Sequence, residues 1–169
     1  MVLSEVTRTD PPTVAGEREM LESWLDYHRA TLLHKCKDLS EEQLKLRSAE
    51  PSSLSLLGLL RHMTDVENGW FGGFDGSRKP SYYYTEEHPD DDFDALDSAP
   101  AAEVVATFLA QCEDARQAAA RHGLDETNSW REGQPISLRW IYVHMIEEYA
   151  RHNGHADLIR ERIDGATGE

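Results

Sequence analysis

Apolar residues recur at intervals of three and four in four separate stretches of this 169-residue chain, a spacing that admits little besides amphipathic helices. The first stretch runs from Glu17 to Lys37, with Leu21, Trp24, Leu25, His28, Leu32 and Cys36 along one face. The second, about 53–71, carries Leu56, Leu59, His62 and Val66 on one side, with Leu57, Leu60 and Met63 beside them. Gly72, Gly73 and Gly76 are expected to end it. The third begins at Pro100, shows Val104, Val105, Phe108, Cys112, Ala115 and Ala119, and stops at Gly123. Ser137 opens the fourth, which runs to Ile163 and ends near Gly165. No segment alternates like a strand and no internal repeat is found. The expected fold is therefore all-α, a four-helix bundle forming one domain over residues 1–169, with 1–16 as an extended arm containing Pro11 and Pro12.

The connections refine this picture. Ser40 is followed three residues later by Gln43, a capping-box pattern that predicts a short helical turn. The segment from Asp75 to Pro100 is long for a connection and reads as a crossover between the second and third helices. It holds Tyr82, Tyr83 and Tyr84 and the acidic run Asp90 to Asp92. The tyrosines either pack the loop onto the bundle, the favoured reading, or cover the mouth of a site. Asp125 to Pro135 is expected to be a polar loop.

A formal charge of −15 argues against nucleic acid and anionic membrane surfaces, both of which need clustered Lys and Arg. The longest apolar run, Leu54 to Leu60, is too short to span a bilayer, and Met1 to Pro12 lacks the pattern of a secretion signal. A cytoplasmic protein is expected. Cys36 and Cys112 fall on apolar stripes and are read as buried hydrophobes rather than reactive thiols.

The chemistry concentrates in the fourth helix, where His144, Glu148 and His152 are spaced four residues apart and share one face. Four residues of helix rise about 6 Å, so Glu148 can join either histidine on one ion. Eight residues rise about 12 Å, so His144 and His152 cannot both join it. A ligand must come from another helix, and His62, on the inward face of the second, is the natural donor. An inward Glu148 is costly to bury unpaired, and a metal ion is one partner that makes it acceptable. Two imidazoles and a carboxylate suit an open zinc site, and also nickel or iron. Spacing alone leaves open a second reading, a buried Glu-His-Arg network without metal.

Three segments carry a resemblance. Glu17-Arg-Glu-Met-Leu-Glu-Ser-Trp-Leu-Asp-Tyr-His-Arg-Ala, Leu56-Leu-Gly-Leu-Leu-Arg-His62-Met-Thr-Asp-Val-Glu-Asn-Gly-Trp70-Phe and His144-Met-Ile-Glu-Glu-Tyr-Ala-Arg-His152-Asn-Gly-His-Ala-Asp-Leu-Ile-Arg resemble the DinB-like (damage-inducible, YfiT-like) metal-binding superfamily. They are closest to an actinobacterial branch without an assigned activity, related to the mycothiol-dependent S-transferases. The resemblance covers nearly the whole chain and implies a four-helix bundle with a long crossover. It also implies a metal held by a histidine late in helix two and a His-x-x-x-His pair on the last helix. His62 and His152 match two of these positions, while Glu148 stands where many relatives have histidine, a pattern shared with mycothiol-dependent maleylpyruvate isomerases. Asn153 and His155 replace the Arg and Gln of the family's His-Arg-Gly-Gln segment.

The resemblance implies an S-transferase in which a metal-activated low-molecular-weight thiol, mycothiol first, attacks a small electrophile. Metal-dependent hydrolysis and a non-enzymatic metal-binding stress or interaction protein are the alternatives, and relatives often form homodimers. The metal ligands expected are His62, Glu148 and His152, with His144 as acid/base or support and Arg151 as a contact for an acidic thiol. His155 ranks lower as a ligand. Asp65 is expected to face water rather than orient His62, and His28 to pack in the core, with Arg29 left open.

Overall fold

In the computed structural model of this chain, which describes residues 2–129 and 134–168, helices form where the spacing predicts them. α1 (Glu17–Cys36) is followed by α2 (Glu41–Lys45), which starts with the expected capping box. The Gln43 amide donates to Ser40 Oγ at 3.2 Å, and the Ser40 amide donates to Gln43 Oε1 at 3.0 Å. α3 (Leu56–Glu67) is capped by Ser55, whose hydroxyl accepts the Gly58 amide.

The second long helix does not stop at Gly72 and Gly73. A π-helical segment (Asn68–Gly72) and α4 (Gly73–Asp75) continue it until Gly76, at φ +79°, turns the chain away. Gly72 has a packing reason instead: a Cβ there would lie 3.1 Å from Arg78 Cα, so its absence lets the following loop lie directly on the helix. π segments are rare and gather at functional sites.

The crossover contains one further turn, α5 (Asp91–Asp94), before α6 (Ala101–Ala120). A two-residue antiparallel bridge pairs β1 (Thr127–Asn128) with β2 (Ile136–Ser137), a pairing too short to leave a strand signature in the sequence. Residues 130–133 of the expected polar loop lie outside the described residues. α7 (Leu138–Asp164) is capped by Ser137 and closed by Gly165 at φ +79°.

Contacts set the directions of the helices. Along α1, Glu22, His28 and Lys35 meet Tyr142, Asn153 and Asp157 of α7 in order, so α1 and α7 run parallel. Arg29 of α1 meets Glu67 of α3, and Phe71 beyond it packs on Tyr142, so α3 runs the other way. α6 runs with α3, because Tyr82, held at the level of Asp65 by its amide, reaches Gln111 while Asp75, ten residues further along, pairs with Arg121. Two successive parallel helices require a long return, which is the crossover expected between them.

α3 is the central helix. Leu56, Leu57, Leu59, Leu60 and Met63 have no exposed surface, and α2, α5, α6 and α7 all pack on it. Trp24, placed on the inner stripe by spacing, is instead 42% exposed, resting on Tyr27 and His28 at the stripe's edge. Cys36 and Cys112 are buried as expected, and burial pushes both thiols up to about 12, out of reach of thiolate chemistry at neutral pH. The N-terminal arm is not free: Leu3 carbonyl accepts the Asp38 amide, and Val2, Leu3 and Val6 pack against the core.

A buried ion pair ties α1 to α3 and α7. Arg29 donates to both oxygens of Glu67 at 2.7 and 2.6 Å, and Tyr149 Oη donates to Glu67 Oε1 at 2.8 Å. The arginine left open by sequence reading is thus a structural partner of a fully buried carboxylate.

Candidate metal centre

Helix geometry puts His62 of α3 opposite Glu148 and His152 of α7, since the two helices run antiparallel and both turn these faces inward. One ligand atom from each of the three residues lies within 4.8 Å of the others, close enough for one divalent ion to bind all three. The His62 and His152 rings meet edge to face with centroids 4.9 Å apart. Glu148 stands between two histidines, with Oε1 3.6 Å from His144 Nε2 and Oε2 3.5 Å from His152 Nε2. Spacing required this division, and His144 lies with Glu147 and Glu148 in a group that does not include His62.

The donor set fits a metal on its own terms. The buried Nδ1 of His152 has no hydrogen-bond partner, a vacancy that native proteins rarely leave without cause. Burial, reinforced by His62 and His155, pushes the His152 imidazole down to about 4, so it is neutral at physiological pH and keeps a lone pair for a cation. His62 Nδ1 is 2.8 Å from Asp92 Oδ2, which fixes the ring and leaves Nε2 free to ligate a cation. The ring also packs on Phe93, with centroids 5.2 Å apart.

Asp92 is the residue that sequence reading missed. It lies in the acidic run of the crossover, in a turn 30 residues from His62, and is 4% exposed. A run of three aspartates reads as solvated, and only the docking of α5 on α3 distinguishes the inward one.

Asp65 corrects a second expectation. It does not face water but is 6% exposed, and its two oxygens accept the backbone amides of Tyr82 and Tyr83 at 2.7 and 3.0 Å. Burial raises its carboxyl above the ordinary value, and the two amides work against that rise. Asp65 therefore pins the crossover to α3 rather than orienting His62. The tyrosines divide their roles. Tyr82 donates to Gln111, the Tyr83 ring lies under the Arg61 guanidinium at 4.6 Å, and Tyr84 lines a cleft that also takes in His62.

That cleft, of about 550 Å³, has His62 and Asp92 in one wall and Trp70, Gly69 and Gly73 of the α3 extension in another. His144 lies near the same wall, stacked on Trp140 with centroids 4.9 Å apart and edge-on to Trp70 at 4.3 Å. Arg151 is exposed and paired with Glu147 at 3.1 Å, on the outer side of α7. His155 is exposed beside His152, and His28 is half-buried with Nδ1 3.3 Å from Asn153 Nδ2.

A family model described as mycothiol-S-transferase matches residues 20–165. No curated protein and no solved structure matches the chain.

Proposed function

The chain belongs to the mycothiol-S-transferase family, and from that premise we propose that it joins the thiol of mycothiol to a small electrophile, with a divalent metal held by His62, Glu148 and His152. Zinc is the preferred ion, because two imidazoles and one carboxylate form an open site for it, with nickel and iron as alternatives. The observation that carries the reading is the convergence of these three ligand atoms within 4.8 Å, with His62 also lining an open cleft. The fold family agrees with the expected DinB-like bundle. Among the described residues no helix is long and apolar enough to cross a membrane.

The bound ion supplies a Lewis acid that lowers the pKa of a thiol brought against it. The protein does the rest. Asp92 holds His62 in one tautomer and orientation, and burial keeps His152 unprotonated. His144, whose Nε2 lies 3.6 Å from Glu148 Oε1, is assigned as the acid/base group that takes up the thiol proton. The sulfur then forms a bond to the electrophilic carbon, the electron pair of the bond broken there departs, and the proton passes from His144 to that pair. Val66, Trp70 and the glycine wall limit water around the reacting carbon.

The test is metal analysis of protein purified without chelator, coupled to a transfer assay with mycothiol and a panel of electrophiles. About one divalent ion per chain and thioether formation are expected. His62→Ala and His152→Ala should each lose most of the metal and at least about 100-fold in rate, the upper end of what loss of even an outer support costs. Absence of metal from the wild-type protein, together with no transfer, would overturn the reading.

A further inference from the structure

We propose that Arg78 is the specificity residue of the cleft beside His62 and that it selects electrophiles bearing a carboxylate; the substrate role rests on the reading above. Every other arginine of the described residues has a protein hydrogen bond, an ion pair or an aromatic face to lie on. Arg78 has none, and it lines the same cleft as His62 and Trp70. Its freedom is confined to the side chain. On one side the Ser77 amide donates to Gly72 carbonyl at 2.9 Å; on the other the Lys79 amide donates to Asn68 Oδ1 at 2.9 Å. Asn68 Nδ2 closes the clamp by donating to Lys79 carbonyl at 2.9 Å, and Asn68 is itself 2% exposed.

Gly72 completes the arrangement, because its missing Cβ lets the Arg78 backbone lie directly on the π-helical segment. A buried asparagine, a helix carbonyl and a close glycine contact thus hold the backbone of Arg78, whose exposed side chain no protein anion takes up.

The other charges in the cleft are occupied. Asp65 accepts two backbone amides, and Asp92 holds His62. Among the described residues, Arg78 is left as the only Lys or Arg lining it. In a chain of net charge −15, an arginine in a cleft with no protein partner is a place that attracts an anion. A guanidinium matches a carboxylate bidentately, which orients a ligand as well as attracting it. An electrophile anchored there would extend along the glycine wall toward His62.

The experiment compares a carboxylate probe with its neutral amide isostere, 4-phenylbutyrate against 4-phenylbutyramide, by calorimetric titration of the metal-loaded protein. The wild type is expected to bind the carboxylate at least about tenfold more tightly than the amide. Arg78→Met should abolish that preference while leaving metal content and thermal midpoint unchanged, and Arg78→Lys should restore part of it. Equal binding of the two probes, binding of neither, or a preference that survives in Arg78→Met overturns the proposal. Transfer kinetics separate this inference from the assigned activity. A preference lost in Arg78→Met without any thiol transfer removes the activity and leaves the anion site standing. Transfer with no preference between acid and amide electrophiles does the reverse. In the transferase, Arg78→Met should raise KM for an acidic electrophile while changing kcat and the KM for thiol far less.

Discussion

Asp92 shows how much the candidate metal site can depend on a residue outside its ligand set. Its carboxylate is almost wholly withdrawn from water, and it spends one oxygen on His62 Nδ1 at 2.8 Å and the other on the Phe93 amide at 3.0 Å. Supports of this kind typically contribute a factor of about 10–100 in metal affinity. Asp92→Asn keeps the shape but cannot accept the imidazole proton as a charged acceptor does. Metal-competition titration should therefore show affinity lower by about that factor, with helix content and thermal midpoint nearly unchanged; an unaltered affinity would remove Asp92 from the site. Helical periodicity put His144, Glu148 and His152 on one face and His62 on the inward face of its helix, and the family resemblance chose His62, Glu148 and His152 among them. Asp92 could not be chosen in this way, because its neighbours in sequence have the same chemistry and only one of them turns inward. Asp65 was misread for a related reason: a carboxylate three residues after His62 looks solvated until the crossover amides arrive to take its oxygens.

At the scale of elements, the site depends on how closely α5 lies on α3. A Cβ on Gly58 would stand 2.8 Å from Phe93 Cδ1 and 3.1 Å from Ser55 Oγ, the hydroxyl that caps α3. Gly58→Ala gains up to about 1 kcal/mol in helix propensity, but it overpacks this contact at a cost of about 1–3 kcal/mol. Denaturant unfolding should show a net loss of stability, and because Phe93 adjoins Asp92, metal affinity should fall with it. A more stable variant with full metal affinity would mean that α5 docks with room to spare. The extension of α3 through Gly72 and Gly73 is the element that sequence reading ended too early. Glycines usually mark a helix end, but here Gly72 answers to a close backbone contact with Arg78, and the true stop is the left-handed Gly76.

For the whole molecule, the buried neutral His152 links folding to pH. Its imidazole titrates at about 4 in the folded protein and near 6.5 in the unfolded chain, so the unfolded state binds more protons between these values. The stability this contributes is present above about 6.5 and is lost as pH falls toward 4. Metal-free protein should lose stability over that window with a slope from this group approaching about 1.4 kcal/mol per pH unit. His152→Leu should remove this component, measured as the difference between the two proteins' denaturant-derived stability curves. Matching curves would show that His152 is no more shielded in the native state than in the unfolded one.

What the sequence by itself determined follows from short-range geometry. Three- and four-residue spacing specifies amphipathic helices, four of them imply a bundle, and the i, i+4 pair on α7 forces a third ligand from another helix. Local chemistry also placed the Ser40 capping box and the crossover. Only the tertiary structure decided which aspartate supports His62, that Asp65 faces inward, that Glu67 needs Arg29 and Tyr149, and that the α3 extension presents Arg78 to the cleft. These choices depend on contacts between residues 11 to 82 positions apart, whose partners no local period identifies. The candidate ligands were legible because a helix repeats, whereas their supports became visible only when separate elements packed against one another.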